Sequence, residues 1–186
     1  MTTYILASAS PRRQALIELL GLPFRCVPSN ADETLPSHLQ PEDIVQTLAY
    51  RKAMDSIPET DQPTVVVGAD TIVVYDDRVL GKPVDETDAV EMLTTLQGKT
   101  HRVYTGVCIA DNKGKHRCFY DMTEVTFYPL SREEIEAYVE SGEPMDKAGA
   151  YGIQEKGALL VEKINGDYFN VVGLPIALLA RQLADF

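Results

Sequence analysis

Residues 64–75 hold two β-branched runs, Thr64-Val65-Val66-Val67 and Ile72-Val73-Val74-Tyr75, with no polar-apolar alternation. Such runs mark strands covered on both faces, so the chain must build a sheet with a layer packed on either side. Between them lies Gly68-Ala69-Asp70-Thr71. Asp70 is then an ionisable group between two buried strands, beside a glycine that permits close backbone approach. A carboxylate so placed needs a partner, because burying its charge uncompensated is expensive. A metal ion, a lysine or an arginine would serve.

Near the start, the apolar run Ile5-Leu6-Ala7 enters Ser8-Ala9-Ser10-Pro11-Arg12-Arg13. Ser10 reads as an N-cap and Pro11 as the first helical residue, with the helix running through Leu16, Ile17, Leu19 and Leu20 to Gly21. Arg12 and Arg13 are misplaced for an ordinary helix, since a cation in the first turn loses about 0.3–1 kcal/mol against the macrodipole. Two adjacent arginines there suggest a missing anion. Backbone N–H groups, the hydroxyls of Ser8 and Ser10 and two guanidinium forks would together receive phosphate oxygens. The competing reading leaves both arginines in water or paired with acids elsewhere.

The 186 residues, 45% of them hydrophobic, suffice for one compact domain or two lobes sharing a sheet. No run approaches the roughly 18 apolar residues of a membrane span, and no apolar leader opens the chain, so a cytoplasmic protein is expected. Cys26, Cys108 and Cys118 show no C-x-x-C spacing and fall in strand-like apolar contexts, which reads as buried free thiols. A formal charge of -11 argues against nucleic-acid and membrane partners. It leaves room for a phosphorylated small molecule, because screening over about 8 Å lets a local cationic pocket work inside an acidic protein.

Along the chain, Asp32 and Glu33 end a polar loop and read as surface acids, although beside phosphate a carboxylate is what Mg²⁺ would need. The helix expected over Pro41 to Ser56 places Lys52 on the apolar face of Val45, Leu48, Ala49 and Ala53, either snorkelling or aimed at an internal anion. Asp76-Asp77 turns the chain into Arg78-Val79-Leu80, and strand pairing there would bring Lys82 back toward the end of the sheet that holds Asp70. Helices are also expected over Glu86 to Gln97, from the capping box Ser131-Arg132-Glu133-Glu134, and from Pro175. Thr100 to Ala110 and His116 to Tyr128 read as a hairpin, with a bulge near Thr123-Glu124. Asn165-Gly166 reads as a second hairpin turn, between Ala158 to Ile164 and Tyr168 to Val172. No repeat or linker divides the chain, so residues 1–186 are expected to form a single domain.

Six ordered segments resemble the Maf family of nucleoside triphosphate pyrophosphatases: Leu6 to Arg13, Asp32-Glu33, Gly68 to Thr71, Gly81-Lys82-Pro83, Asp146 to Gln154 and Val172 to Pro175. The resemblance implies a mixed α/β fold: an elongated mixed sheet between two helical lobes, inosine-triphosphatase-like, with the nucleotide in the cleft. It also implies metal-dependent hydrolysis of the α–β phosphoanhydride. One branch of the family prefers dTTP and UTP and carries Arg, Thr and Gln where Arg12, Thr71 and Gln154 stand here; another acts on 7-methyl-GTP and carries Trp, Gln and Glu. This chain follows the pyrimidine pattern.

On that basis Ser8, Ser10, Arg13, Lys52 and Lys82 are the expected phosphate ligands, and Arg12, Thr71 and Gln154 set base specificity. Glu33 and Asp70 are expected to hold Mg²⁺, Mn²⁺ or a similar divalent ion, with Asp70 also the proton acceptor. Nucleotide-pool sanitation, extending to modified pyrimidines, is the expected role. The family's association with arrest of septum formation supplies an alternative, a nucleotide-sensing regulator without turnover. Purine-directed sanitation is a third reading, against which Arg12, Thr71 and Gln154 speak. A homodimer is left open.

Overall fold

In the computed structural model, which describes residues 2–36 and 38–186, the two β-branched runs form one strand, β3 (Thr64–Tyr75). The break expected at Gly68-Ala69-Asp70-Thr71 does not occur. Gly68 does permit the close backbone approach expected of it: a Cβ there would lie 2.2 Å from the Ala49 carbonyl oxygen and 2.6 Å from the Ala53 nitrogen. It lets a helix backbone rest on the strand.

Six further strands are β1 (Thr3–Ala7), β2 (Phe24–Cys26), β4 (Arg78–Leu80), β5 (Thr100–Asp111), β6 (His116–Phe127) and β7 (Val161–Asn165). They join β3 in a seven-stranded mixed sheet of order β2-β1-β3-β5-β6-β7, with β4 also on β3. β1 runs parallel to β2 and β3, whereas β4 and β7 lie antiparallel on β3 and β6. Helices α1 (Pro11–Ile17), α2 (Pro41–Asp55), α3 (Glu86–Leu96), α4 (Arg132–Glu140), α5 (Tyr168–Val172) and α6 (Ile176–Ala184) flank it. The expected mixed α/β class is therefore found. Among the described residues, no helix is long and apolar enough to cross a membrane.

The chain divides into two compact units, one of Met1–Asp70, Thr105–Asp121 and Gly173–Phe186, the other of Thr71–Tyr104 and Met122–Val172. In the first, Ala49 and Ala53 of α2 meet Ile5, Ala7, Val66, Cys108 and Ala110 in a core of small side chains. Gly106 completes the helix seat, since a Cβ there would stand 2.3 Å from the Val45 carbonyl. Overpacking a core costs about 1–3 kcal/mol, and a helix backbone cannot swing aside as a side chain can. Gly68→Ala is therefore expected at the upper end of that range, as a lowered thermal midpoint; unchanged melting would mean that α2 is not seated as tightly as these distances imply.

In the second unit, Val73, Leu93, Leu96, Val103, Phe127 and Tyr138 form the core. His101 is 2% exposed, with Nε2 2.7 Å from the Tyr151 hydroxyl and its ring edge-on to Phe127. Burial pushes its pKa from 6.5 down to about 4. The unfolded chain holds that proton more tightly, so stability is complete above pH 6.5 and is lost as pH falls toward 4. The full loss amounts to about 3 kcal/mol. Denaturant titrations of wild type and His101→Gln across that range should show a flatter pH dependence in the variant.

The capping box at Ser131 and Glu134 is present, and Asp76 and Asp77, both at positive φ, turn β3 into β4. The hairpin expected at Asn165-Gly166 is not. Residues Tyr168–Val172 are helical because Asp167 Oδ1 accepts from the Phe169 N–H (3.0 Å), starting a turn rather than a strand. Buried Asn170 then anchors that turn, its Nδ2 donating to Val103 O and Thr123 Oγ1 at 3.0 Å each. β7 pairs with β6 instead, and that ladder shifts register at Thr126/Phe127. Cys108 alone of the thiols is fully buried; Cys26 is exposed and Cys118 partly so, because Cys26 lies on the short edge strand β2.

Candidate active site

The β1 ladder on β3 ends at Ala7 opposite Gly68. Ser8 and Asp70 thus lie just past the carboxyl end of that parallel ladder, the end of an α/β sheet where ligands collect. Beyond β1, Ser8 Oγ accepts from the Ser10 N–H (3.2 Å) and Ser10 Oγ caps α1 by accepting from the Arg13 N–H (3.4 Å). Pro11 takes the first helical position, as expected. Each hydroxyl, while accepting from the backbone, keeps its own O–H as a donor.

Lys52 is aimed inward, not snorkelling. Its Nζ lies 2.6 Å from Asp70 Oδ1 and 2.8 Å from Glu33 Oε1. The Lys52 and Asp70 side chains are 16% and 13% exposed, against 63% for Glu33. One ammonium therefore bridges a largely buried carboxylate and one at the rim. The partner that Asp70 requires is a lysine contributed by α2, which Gly68 and Gly106 admit close to the sheet.

Arg13 joins the same cluster. Its Nε donates to the Gly173 carbonyl at 2.7 Å. Burial lowers its pKa; Asp70 and Glu33 oppose that shift by their charge, and Arg12 adds to it. The guanidinium remains charged, so cations and carboxylates from four chain segments act on one another.

Three contributors escape sequence reasoning. Arg51 Nη1 donates to the carbonyls of Asp32 (3.0 Å) and Thr34 (2.6 Å), clamping the loop that carries Glu33. Asp55 accepts from Ser29 Oγ and the Asn30 N–H, both at 2.8 Å, and holds the start of that loop. Both are charges on α2 whose only sequence signal is proximity to Lys52 in the chain. Gly173 acts through a carbonyl, which leaves no side-chain mark.

Ser8, Ser10, Arg12, Arg13, Glu33, Lys52 and Asp70 all fall in the first unit, and Thr71, Lys82 and Gln154 in the second. Thr71 follows Asp70 on β3 and is partly buried; Lys82 and Gln154 are exposed. β4 does pair back on Val73–Tyr75, as the turn at Asp76-Asp77 implied. Within the second unit the Gly149 N–H donates to the Gly81 carbonyl at 3.0 Å. That bond joins the Gly81-Lys82-Pro83 segment to the Asp146 to Gln154 segment.

The donors present suit a hard divalent ion. Glu33 and Asp70 oxygens converge on one point, each within 2.8 Å of the same nitrogen. Mg²⁺ is commonly held by one or two carboxylates, with phosphate oxygens and water completing the shell.

Residues 3–186 match the family model described as Maf-like protein. A dTTP/UTP pyrophosphatase of Bacillus cytotoxicus is 54% identical over 186 residues, covering 100% of this chain and 96% of the relative. Another of that description, from Bacillus mycoides, is 55% identical with the same coverage. Among solved structures, the Ham1 protein of Staphylococcus aureus superposes with a TM-score of 0.52 at 11% identity, covering 100% of this chain and 99% of that one. A HAM1 protein from Coxiella burnetii gives 0.50 at 15% identity, covering 100% of both chains. At such identities the likeness is one of fold.

Proposed function

Since the chain belongs to the Maf family, we propose that it hydrolyses dTTP and UTP to the monophosphate and pyrophosphate with a divalent metal ion, as a sanitiser of the cytoplasmic nucleotide pool. The observation that carries this reading is the Lys52 ammonium held between Glu33 and Asp70 in the field of Arg13. Relatives more than half identical along the whole chain support the choice of substrate.

Asp70 orients the attacking water and takes its proton as the oxygen bonds to the α-phosphorus. The bond from that phosphorus to the bridging oxygen breaks, and pyrophosphate leaves. Arg13, Lys52 and Lys82, with the hydroxyls of Ser8 and Ser10, offset charge on the phosphate oxygens during that step. Glu33 and Asp70 would hold Mg²⁺ or Mn²⁺, which when bound supplies further positive charge to those oxygens. Arg12, Thr71 and Gln154 match the carbonyl acceptors and the N3–H of uracil and thymine. A neutral Gln154 leaves the donor edge of a guanine without the carboxylate it would prefer.

The test is pyrophosphate release from dTTP, UTP, CTP, GTP, ITP and 7-methyl-GTP with Mg²⁺ or Mn²⁺. dTTP and UTP should exceed the others by roughly 100-fold in kcat/KM, the scale of discrimination a base-binding site of this kind achieves. Nucleotide binding with no release under either metal would favour the sensing role. A preference for ITP would overturn the assignment of Arg12, Thr71 and Gln154.

A further inference from the structure

Cys108 lies on β5 and Cys118 on β6, neighbouring strands joined by residues 112–115 and therefore antiparallel. The Asp111 N–H donates to the Lys115 carbonyl at 2.9 Å, which sets 111 opposite 115. Stepping back along the ladder, 109 faces 117 as a hydrogen-bonded pair and 108 faces 118 as a non-hydrogen-bonded one. The Cα atoms of such a pair stand about 4.5 Å apart, inside the roughly 4.4–6.8 Å that a disulfide spans. Both side chains belong to the small-residue core beneath α2, Cys108 fully buried and Cys118 packed against it.

We propose that Cys108 and Cys118 are a modification site, a thiol pair that a peroxide converts to a reversible intramolecular disulfide. Cys118 is the attacking sulfur: it is the more exposed of the two, and the neighbouring Cys108 thiol lowers its pKa while burial opposes. The neighbouring Cys118 thiol, with burial, pushes the Cys108 thiol up, so Cys108 resolves. The Cys118 thiolate attacks one peroxide oxygen, the O–O bond breaks, and the departing hydroxide is protonated to water, leaving a sulfenic acid. The Cys108 sulfur then attacks the Cys118 sulfur. The S–OH bond breaks, and the thiol proton leaves with that hydroxide as a second water. Two thiols lose two electrons and one peroxide gains them.

The experiment treats the folded protein with one equivalent of hydrogen peroxide. Intact mass should fall by about 2 Da as two thiol hydrogens are lost, and titratable thiols should drop from the three of the sequence to the one of Cys26. Unreduced peptide mapping should link Cys108 to Cys118, and dithiothreitol should reverse the change. Cys26→Ser should keep the link and Cys118→Ser should lose it. A link through Cys26, or oxygen added to Cys118 with no loss of mass, would overturn the pairing.

Discussion

Asp70→Asn is expected to lower kcat for pyrophosphate release from dTTP about 1,000-fold, within the range that general acid–base groups contribute. Asparagine keeps the side chain's shape and an oxygen acceptor, so the contact with Lys52, 2.6 Å in the wild type, survives as a hydrogen bond from the ammonium to an uncharged amide oxygen. It cannot accept the proton of an attacking water. Because the proposed phosphate ligands Arg13, Lys52, Ser8 and Ser10 are untouched, nucleotide affinity should change far less than turnover, so that the loss falls on kcat with KM nearly kept. Steady-state kinetics with equilibrium binding of dTTP separates the two. A variant turning over within tenfold of the wild type would remove Asp70 from the reaction and leave it the structural counter-ion of Lys52.

Much of this cluster is legible before any coordinates, because charge in apolar surroundings is costly and therefore conspicuous. Asp70 stands out between β-branched runs, Lys52 on an apolar helix face, and Arg12 and Arg13 in a first helical turn. What those signals cannot give is pairing. That Asp70 meets the Lys52 ammonium depends on how closely α2 approaches β3, which Gly68 and Gly106 decide through contacts with Ala49, Ala53 and Val45. The close backbone approach that Gly68 permits is legible in the sequence; that the approaching backbone is α2, at Ala49 and Ala53, is not.

The misread hairpin at Asn165-Gly166 has a similar origin. An Asn-Gly pair favours a tight turn on local grounds, but strands on either side also need each other as partners. β6 offers β7 a ladder over Glu124 to Phe127, and Asn170 finds acceptors on Val103 and Thr123 that hold the next segment as a helical turn. Tertiary hydrogen bonds outweigh the turn signal there. The roles of Arg51, Asp55 and the Gly173 carbonyl escape the sequence for the complementary reason: they act on backbone groups or through one, and nothing in residue type reports that, even though Gly173 lies in a segment that carries the family resemblance. The substrate stands apart from all of these, since its support comes from kinship with dTTP/UTP pyrophosphatases and not from the geometry of the first unit.

Lys52→Met is expected to be the more informative variant, because it changes stability, metal affinity and turnover in different directions. Methionine fills much of the lysine stem's volume but leaves Asp70, 13% exposed, without the ammonium it contacts. Removing one partner of a buried ion pair costs about 3–5 kcal/mol; the charge of Arg13 nearby places this case at the lower end. The metal-free variant should therefore melt well below the wild type. Adding Mg²⁺ or Mn²⁺ reverses the ranking of affinities. In the wild type a divalent ion must compete with the Lys52 ammonium for Glu33 and Asp70, whereas in the variant both carboxylates are released to it. Calorimetry without nucleotide should show tighter metal binding by the variant, and its thermal midpoint should rise more steeply with metal than the wild type's. Turnover should nonetheless fall about 100-fold or more, since one of the cations proposed to face the phosphate oxygens is gone and such groups are worth about that much. Weaker metal binding in Lys52→Met would mean that Glu33 and Asp70 are not the carboxylates that hold the ion.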